Sequence, residues 1–346
     1  MPSSTPPPCV PLEPTSQPGP GLRDSFGRVI DYLRVSVTDA CNLRCVYCLP
    51  ARARFQPRDM LLTDEELVRL LGLFARSGFR KVRFTGGEPT LRSSLVEIVA
   101  ATSRLRGIER VGLTTNGLLL GQQAGALRAA GLHSVNVSID SLDQDRFGRI
   151  TRRGDLRDVL AGIEAARAAG LQIKINCVVC RGLNDGEDII DLARLTLVEP
   201  WQVRFIEEMP FRKSAHASAQ HPVPEEQLLA RLRAAFGELE LLNGGRLDGE
   251  ARVFRLPNAR GTVGFISPVS RPFCGDCNRL RLTADGVLRM CLLRDEEIHL
   301  RMLLRGGASD QALLDQIKLA VIAKPWGHGL PDQVFPANRT MSEIGG

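Results

Sequence analysis

Short runs of β-branched and other apolar residues alternate along the chain with longer segments in which apolar residues return every three or four positions. The short runs predict strands, and the longer segments predict amphipathic helices between them. Six strands are predicted in this way: Arg34–Val37, Lys81–Thr85, Arg110–Thr114, Ser134–Ile139, Gln172–Val179 and Gln202–Ile206. Strand–helix repetition of this kind produces parallel βαβ units.

The helices are clearest where a capping residue precedes the apolar pattern. Thr63 and Glu66 have the spacing of a capping box, and Leu67, Leu70 and Phe74 follow at helical spacing. Further helices are predicted over Asp155–Ala169, from Asn116-Gly117 to about Gly131, and over Ser309–Ala323. Six strands are too few for a closed eight-stranded barrel. We therefore predict an α/β fold with a partial (β/α)6 TIM-like barrel, whose ligands bind at the carboxyl ends of the strands.

After about residue 240 the pattern changes to short alternating strands, which predicts a smaller antiparallel region attached to the barrel. These strands are predicted over Ala251–Leu256, Gly261–Ile266, Arg279–Thr283 and Val287–Cys291, and Asp285-Gly286 is typical of a hairpin turn between the last two. The predicted domains are a disordered Pro-rich extension (residues 1–22), a barrel (23–240) and a C-terminal region (241–346). The last two residues, Gly345 and Gly346, are expected to be too flexible to help a core.

Composition narrows the class of protein. With 43% hydrophobic and 24% charged residues among 346, the chain is typical of a soluble globular protein. No apolar run approaches the roughly 20 residues of a membrane helix, and no export signal is evident, so a cytoplasmic location without a membrane partner is predicted. The nine cysteines, one of them Cys9 in the extension, then favour metal binding or redox chemistry over a disulfide framework. The net charge of +6 favours anionic partners, but with 5% aromatic residues and no recognition motif nucleic acid is not expected.

A first cysteine cluster follows the first predicted strand. Cys41, Cys45 and Cys48 place three thiols within eight residues. Thiolates are soft ligands that suit iron–sulfur clusters or zinc. A structural zinc ion needs four protein ligands, and no fourth ligand lies nearby in the sequence. The spacing therefore favours an iron–sulfur cluster with one open iron, and zinc is the alternative.

A second cluster lies in the C-terminal region, where Cys274, Cys277 and Cys291 give a C-x-x-C pair and a third thiol. A zinc ribbon is one interpretation, because C-x-x-C on a hairpin is common in such ribbons. Three thiols without an obvious fourth again leave one coordination position open. If this second cluster lay next to the first, its open iron would bind the substrate.

The C-x-x-x-C-x-x-C motif resembles that of the radical S-adenosylmethionine (SAM) superfamily. The TGGEP segment that contains Gly87 resembles the superfamily's GGEP motif, and Ser138 and Tyr47 resemble residues that contact SAM and its adenine. Taken singly, the three could be a plain βα turn, a strand-end serine and a core aromatic residue. The resemblance implies that a reduced 4Fe–4S cluster binds SAM through its open iron and cleaves it to a 5′-deoxyadenosyl radical.

Longer segments narrow the resemblance to one family. FCGDCNRLRLTADGVLRMCLL is similar to the second-cluster segment of the GTP 3′,8-cyclase family, and LRVSVTDACNLRCVYC, KVRFTGGEPTLR, LTTNG, SVNVSIDSL, the RRGDL run, KINCVV, RFIEEMP and the terminal IGG agree with it. Together these segments cover residues 30 to 346. The resemblance implies hydrogen abstraction from C3′ of GTP, attack of the C3′ radical on C8 and reduction to 3′,8-cyclo-7,8-dihydro-GTP, the first step of molybdenum cofactor biosynthesis.

The resemblance also implies a role for each candidate residue. Cys41, Cys45 and Cys48 would hold the first 4Fe–4S cluster, and Cys274, Cys277 and Cys291 a second one, whose open iron meets the guanine. Tyr47, Gly87, Ser138 and Met209 would bind SAM. Arg34, Arg83, Thr114, Lys174, Arg279, Leu280 and Arg281 would surround GTP, with Arg279 and Arg281 counted as catalytic beside the first three cysteines. Arginine forks suit phosphate oxygens, which fits this assignment.

The partners implied by the family are an external electron donor, a second copy of the chain in a homodimer, and cyclic pyranopterin monophosphate synthase as recipient of the product. The Gly345-Gly346 ending resembles the family's flexible tail that reaches into the active site. Two alternatives stay open: a peptide-modifying radical SAM maturase with an auxiliary cluster, and a zinc-stabilised nucleic-acid-binding module.

Two features depart from the family pattern. Glu208 stands in RFIEEMP where an apolar residue is usual, and Cys177 and Cys180 form an extra C-x-x-C. Because residues three apart on a strand point to opposite faces, we predict that these two cysteines are buried and do not share a metal.

Overall fold

A short antiparallel hairpin begins the part of the chain that the computed structural model describes, which comprises residues 21–211, 222–245, 249–330 and 339–345. Its strands are β1 (Leu22–Arg23) and β2 (Val29–Ile30), and Leu22 pairs with Ile30. Leu22 therefore belongs to the folded part, whereas residues 1–20 of the predicted extension, including Cys9, lie outside the described residues.

Six parallel strands follow and pair with one another in chain order. They are β3 (Tyr32–Ser36), β4 (Lys81–Thr85), β5 (Arg110–Thr115), β6 (Ser134–Ser138), β7 (Gln172–Val179) and β8 (Gln202–Glu207). The intervening helices are α1 (Asp64–Arg76), α2 (Leu95–Ser103), α3 (Leu120–Ala129), α4 (Gln144–Thr151), α5 (Leu156–Ala168) and α6 (Glu187–Val198). The predicted α/β fold with a partial parallel barrel is confirmed.

Helix α1 shows why the sequence pattern was sufficient for these elements. The Thr63 hydroxyl accepts a hydrogen bond from the Glu66 amide at 3.2 Å, and the Glu66 carboxylate accepts one from the Thr63 amide at 2.9 Å. These bonds satisfy two amides that a helix start leaves without an intrahelical partner. The predicted apolar face, with Leu67, Leu70 and Phe74, is completely buried against the sheet.

The C-terminal region does not form a separate sheet. After β8 the described chain continues with α7 (Glu225–Phe236), still within the predicted barrel domain, and then with β9 (Glu240–Leu241), β10 (Arg252–Arg255), β11 (Thr262–Ile266), β12 (Arg279–Leu282), β13 (Val287–Arg289), β14 (Glu297–His299), α8 (Leu300–Arg305), α9 (Asp310–Ile322) and α10 (Met341–Ile344). The predicted strands form the antiparallel pairs β10–β11 and β12–β13, and the short strands β9 and β14, which were not predicted, extend these pairs. However, β11 pairs in parallel with β8, and β12 pairs in parallel with β3.

The C-terminal strands thereby cover both edges of the open barrel, and the whole forms one sheet of twelve strands within the described residues. An open parallel sheet has unpaired backbone groups at its two edges, so pairing with β11 and β12 satisfies them. The predicted Asp285-Gly286 hairpin joins β12 to β13, with Gly286 at a φ of 74°. No helix in the described ranges is long and apolar enough to cross a membrane.

Candidate active site

A cavity of about 460 Å³ runs through the interior of the barrel. Successive strand residues point to opposite faces, so every second residue of each strand faces the cavity. On β3 these are Tyr32 and Arg34, whereas Leu33 and Val35 are completely buried on the helix side. The same alternation gives Lys81 on β4 a place on the cavity wall. The interior of the barrel is therefore polar, and its apolar core lies between the strands and the helices.

Strand register collects the basic side chains into layers. Arg34 on β3 is level with Arg83 on β4 and with Arg281 on β12. Arg279 lies one inward position below, level with Tyr32. All of these side chains line the cavity. An anionic ligand in the barrel would therefore meet several guanidinium groups at once, which suits a polyphosphate.

Arg83 is held flat across the neighbouring strand. Its guanidinium donates to the Leu113 carbonyl at 2.7 Å, to the Ser134 hydroxyl at 3.1 Å and to the Tyr32 hydroxyl at 3.2 Å. The guanidinium fits there because Gly112 has no side chain, since a Cβ at that position would lie 2.6 Å from the Arg83 Nη2 atom. Gly112 thus determines where the charge of Arg83 lies.

The first cysteine cluster lies at the carboxyl end of the barrel, in the loop after β3, and its three thiols line the cavity. The Gly86-Gly87 pair after β4 packs directly on the start of this loop. A Cβ on Gly86 would lie 2.4 Å from the Thr38 carbonyl oxygen, and one on Gly87 would lie 2.2 Å from that of Ala40. The Gly87 amide donates to the Thr38 carbonyl at 2.7 Å. Gly86 and Gly87 are therefore required for the close approach of the two loops. A contact of Gly87 with a ligand would be a second role.

Glu88, the next residue, fixes the neighbouring strand end. It is buried, and its carboxylate accepts hydrogen bonds from the hydroxyls of Thr90 and Thr115, both at 2.6 Å, and from the Asn116 amide at 2.7 Å. The Asn116 side chain in turn donates to Asn42 in the cysteine loop at 2.7 Å. Three successive loops at the carboxyl end are therefore tied into one hydrogen-bonded unit.

Tyr47 lines the cavity between the second and third cysteines, and its hydroxyl donates to the Asp140 carboxylate at 2.7 Å. Asp140 follows β6, and its other carboxylate oxygen accepts the Val178 amide at 2.8 Å. Burial raises the pKa of Asp140 to about 6, although these two hydrogen bonds oppose the shift. Tyr47 is therefore anchored through its hydroxyl, which fixes the ring on the cavity wall.

The second cysteine cluster lies at the opposite end of the barrel from the first. Cys277 precedes β12, whose first residue Arg279 is level with Tyr32 at the start of β3. Cys291 follows β13, which is antiparallel to β12, so it returns to the same end. Parallel pairing of β12 with β3, which the sequence pattern did not predict, is the reason. Cys274 completes the trio, and all three thiols face the cavity.

The two trios differ in charge environment. Burial raises the pKa of Cys41 to about 11 and that of Cys48 to about 12, so these thiols are protonated at neutral pH unless a metal displaces the proton. Burial also acts on Cys277, but Arg279 and Lys324 outweigh it and lower the pKa of that thiol to about 7. Lys324 is itself buried, and its ammonium donates to the carbonyls of Arg279 at 2.9 Å and Met290 at 2.6 Å.

The donor sets fit two iron–sulfur clusters, one at each end. Among the described residues, no group of three or more His, Cys, Asp or Glu side chains is gathered closely enough to hold a single metal ion. The thiolates of a cubane each bind a separate iron and need not converge on one point. Each trio would supply three soft ligands to a 4Fe–4S cluster, and the fourth iron of that cluster would then be open to a ligand in the cavity.

The C-terminal segment reaches into the barrel mouth. Arg281 donates to the Gly345 carbonyl at 3.2 Å, and a Cβ on Gly345 would lie 2.9 Å from Cβ of Ser36. Ile344 is buried in a small apolar cluster. The expectation that the ending is too flexible to help a core is therefore wrong for Gly345, while Gly346 lies outside the described residues.

All but one of the candidate residues line this cavity. These are Arg34, Cys41, Cys45, Tyr47, Cys48, Arg83, Gly87, Thr114, Ser138, Lys174, Met209, Cys274, Cys277, Arg279, Arg281 and Cys291. Leu280 is the exception, because its side chain points away from the cavity into the apolar core and is completely buried there. Only its backbone could reach a ligand.

The residues at the two departures from the family pattern are all buried. Cys177 and Cys180 are both completely buried, as predicted. Burial, followed by the nearby Glu208 carboxylate, raises the pKa of the Cys180 thiol. Glu208 is itself buried and lines the cavity.

Sequence reasoning missed several cavity residues, namely Tyr32, Lys81, Asn176, Arg204, Glu250 and Lys324. For Tyr32, Lys81, Asn176 and Arg204 a signal was available, because each stands two residues from another inward-facing polar residue on its strand. For Glu250 and Lys324, which lie outside the strands, no sequence signal distinguishes them from surface charges.

Comparison with known proteins agrees with this geometry. Residues 35–196 match the radical SAM superfamily, and residues 201–330 match the Molybdenum Cofactor Synthesis C family. A GTP 3′,8-cyclase of Heliobacterium modesticaldum is 49% identical over 326 residues, which cover 93% of this chain and 99% of the relative. A Mycobacterium tuberculosis protein named GTP 3′,8-cyclase 2 is 46% identical over 342 residues, which cover 96% of this chain and 93% of the relative.

Among solved structures, Streptococcus suis SuiB bound to S-adenosylmethionine matches with a TM-score of 0.56 at 14% identity, over 84% of this chain and 68% of that one. At this level of identity the likeness concerns the fold alone. The identities to the cyclases are far higher and extend over nearly their whole length. The chain belongs to the GTP 3′,8-cyclase family of the radical SAM superfamily.

Proposed function

We propose that this protein converts GTP to 3′,8-cyclo-7,8-dihydro-GTP, with SAM bound at the carboxyl end of the barrel and the guanine at the amino end. It is a radical SAM enzyme of molybdenum cofactor biosynthesis. The observation that carries the more detailed proposal is the position of two three-cysteine sites at opposite ends of one basic cavity. A substrate between them can be held at one end and attacked from the other.

Within the cavity, the arginine layer would bind the triphosphate. Arg34, Arg83 and Arg281 lie level on adjacent strands and present planar donors to one region of the cavity. A triphosphate carries about four negative charges near neutral pH, so several arginines can be matched by one ligand. Thr114 and Lys174 line the same cavity and would contribute further donors.

The SAM end is held by the hydrogen-bonded loops. Gly87, Ser138 and Met209 line it, and Tyr47 is fixed by Asp140. When bound, the first cluster with SAM supplies the radical that removes hydrogen from C3′ of GTP. The protein's own contribution is to hold the ribose close to that radical and to exclude water, for which Ile344 and Gly345 at the barrel mouth are well placed.

The test is an anaerobic assay of the reconstituted enzyme with GTP, SAM and a chemical reductant. We expect 5′-deoxyadenosine and the cyclised nucleotide to form together in equal amounts. Formation of 5′-deoxyadenosine with GTP unconsumed would show that the substrate assignment is wrong. ATP and guanosine serve as control substrates, because the first lacks the guanine and the second lacks the phosphates.

The second cluster has a test of its own. Reconstituted protein should contain about eight irons per chain, four for each cluster. Changing Cys274, Cys277 and Cys291 together to Ala should halve this content, and the matched triple change at Cys41, Cys45 and Cys48 should also halve it. Changing Cys177 and Cys180 to Ala is the control and should leave the iron content unaltered. One or two zinc ions in place of iron would favour the zinc alternative.

The remaining expectations stay predictions. They are the external electron donor, the homodimer, transfer of the product to cyclic pyranopterin monophosphate synthase, and a cytoplasmic location. The need for an electron donor follows from the chemistry, since both the cleavage of SAM and the final reduction of the cyclised nucleotide consume an electron.

A further inference from the structure

Glu250 is an acidic side chain in a cavity wall that is otherwise rich in arginine and lysine. Its carboxylate accepts a hydrogen bond from Arg279 Nη1, with 15% of the Glu250 side chain and 13% of the Arg279 side chain exposed. Glu250 precedes β10 on one side of the twelve-stranded sheet, and Arg279 begins β12 on the other side. The ion pair therefore spans the gap between the two sides of the open barrel.

Several further cations act on the same carboxylate. Burial by itself would raise the pKa of Glu250, but Arg279, then Arg204 and Arg34, hold this pKa well below its usual range. Lys81 acts in the same direction. These four basic residues come from four strands and all line the main cavity. Glu250 thus carries its charge at the point where the positive charges of the cavity converge.

A polyphosphate on the arginine layer would use Arg34, which already acts on Glu250, and would lie one inward position from Arg279, the direct partner of Glu250. A carboxylate and a phosphate cannot both form the close charged hydrogen bond to the same face of Arg279, and their negative charges repel each other strongly in a partly buried site. We propose that Glu250 is an internal competitor for the substrate's phosphates, which occupies the anion position of the empty cavity and limits the affinity for GTP. The proposal rests on the proposed function, because that function places GTP in this cavity.

A second position is available to the Glu250 carboxylate when a phosphate displaces it from Arg279. Glu250 and Phe273 also line a smaller cavity of about 320 Å³, together with Arg252 and Arg271. Phe273 packs under the Arg279 guanidinium, whose carbon lies 5.1 Å from the ring centre. Glu250 therefore stands in the wall between the two cavities. Turning it into the smaller one brings it toward Arg252 and Arg271, which already pair with Glu225 and Glu226, so the displaced charge would share these cations rather than be buried unpaired.

The experiment compares Glu250→Gln with Glu164→Gln in the reconstituted protein. Glu164 forms an exposed ion pair with Arg167 at 2.5 Å on α5, so the control removes the same charge away from both cavities. Binding of GTP and of guanosine is measured by anaerobic equilibrium dialysis. For Glu250→Gln we expect the Kd of GTP to fall about tenfold, equivalent to about 1.4 kcal/mol, and the Kd of guanosine to change less than about twofold. Glu164→Gln should change neither Kd by more than about twofold.

Unchanged or weaker GTP binding by Glu250→Gln, with iron content and melting temperature as in the parent, would overturn the proposal. Weaker binding would mean that Glu250 orients Arg279 for the substrate. If Glu250→Gln loses iron, Glu250→Asp replaces it; its shorter side chain keeps the charge but withdraws it from Arg279, and a gain in GTP affinity is again required.

If the proposed function is wrong and GTP is not the substrate, the experiment gives a different result. The parent protein would then bind no GTP, and the same comparison of the parent, Glu250→Gln and Glu164→Gln is made with inorganic tripolyphosphate. A tenfold tighter binding in Glu250→Gln alone still supports the competition by Glu250, and its absence overturns it.

Discussion

At the scale of single residues, the two ends of the cavity depend on unlike features. At the carboxyl end, bare backbone at Gly86 and Gly87 lets the loop after β4 lie against the cysteine loop. At the amino end, the buried ammonium of Lys324 holds two carbonyl groups beside the cysteines and contributes positive charge. Close backbone packing therefore shapes the first site, whereas nearby positive charge distinguishes Cys277 at the second.

Changing Gly87 to Ala should disrupt the first cluster and spare the second. The new Cβ would lie 2.2 Å from the Ala40 carbonyl oxygen and 2.4 Å from that of Asp39, so the cysteine loop must move. We expect the iron content after reconstitution to fall from about eight to about four per chain. Gly125→Ala is the control, because a Cβ there meets nothing within 4 Å and full iron content is expected. Full loading of Gly87→Ala would show that the loops separate freely.

Changing Lys324 to Met should raise the pKa of Cys277. Arg279 and Lys324 together hold this pKa at about 7 against the effect of burial, so loss of one cation makes the thiolate less favourable. Near pH 7 the metal-free variant should therefore contain less thiolate, and alkylation of Cys277, followed by mass spectrometry from pH 6 to 9, should require a higher pH. Lys318→Met, at an exposed position on α9, should leave the alkylation profile unchanged. An identical profile for Lys324→Met would assign the lowered pKa to Arg279 alone.

At the scale of elements, alternate residues of each barrel strand have two different roles. One face packs on the helices and the other forms the cavity, so a single change on β5 can alter the site without touching the apolar core. Gly112 is such a position, because the guanidinium of Arg83 from β4 lies across it.

Gly112→Ala should weaken GTP binding while leaving SAM binding intact. The added methyl group would lie 2.6 Å from the Arg83 Nη2 atom, and a long side chain can move away from it. Arg83 would then lose its bond to the Leu113 carbonyl and leave its place in the arginine layer. We expect the Kd of GTP to rise about tenfold, or about 1.4 kcal/mol, in anaerobic equilibrium dialysis. An equal loss of SAM affinity would instead indicate general damage to the barrel.

At the scale of the whole molecule, the C-terminal region closes the barrel at its edges and at its mouth. Pairing with β3 and β8 covers both sheet edges, and the segment 339–345 covers the carboxyl end. This segment is anchored by Arg339, which binds Asp285 at 3.0 Å and Glu297 at 2.7 Å. Burial opposes the charge of Arg339, but its bonds to Glu297 and Asp285 raise its pKa above the usual value.

Arg339→Met should release the C-terminal segment. Loss of the guanidinium leaves two carboxylates close together without their shared cation, which destabilises the docked position. We expect carboxypeptidase to remove the last residues at least about tenfold faster than from the parent protein, as followed by mass spectrometry. In the control, Arg167→Met, an exposed pair with Glu164 is broken and the rate should not change. Equal rates for both variants would show that Ile344 and Gly345 hold the segment without Arg339.

The sequence by itself determined what depends on local order. Strand positions, the Thr63 capping box, the Asp285-Gly286 hairpin and the two cysteine trios follow from residue spacing, because periodicity and capping act over a few residues. Family motifs then indicated the chemistry, and all candidate side chains except Leu280 line the cavity. Strand alternation could have excluded Leu280, since it lies between two inward-facing arginines.

Only the tertiary structure decided how these local pieces face one another. Pairing of β12 with β3 links residues almost 250 positions apart in the sequence, and no local pattern encodes such a contact. This pairing separates the two cysteine trios to opposite ends of the barrel and brings Arg281 level with Arg34. The roles of Lys324 and Glu250 are likewise evident only from the tertiary structure. A charge outside the strands acquires its partners only when distant segments pack together.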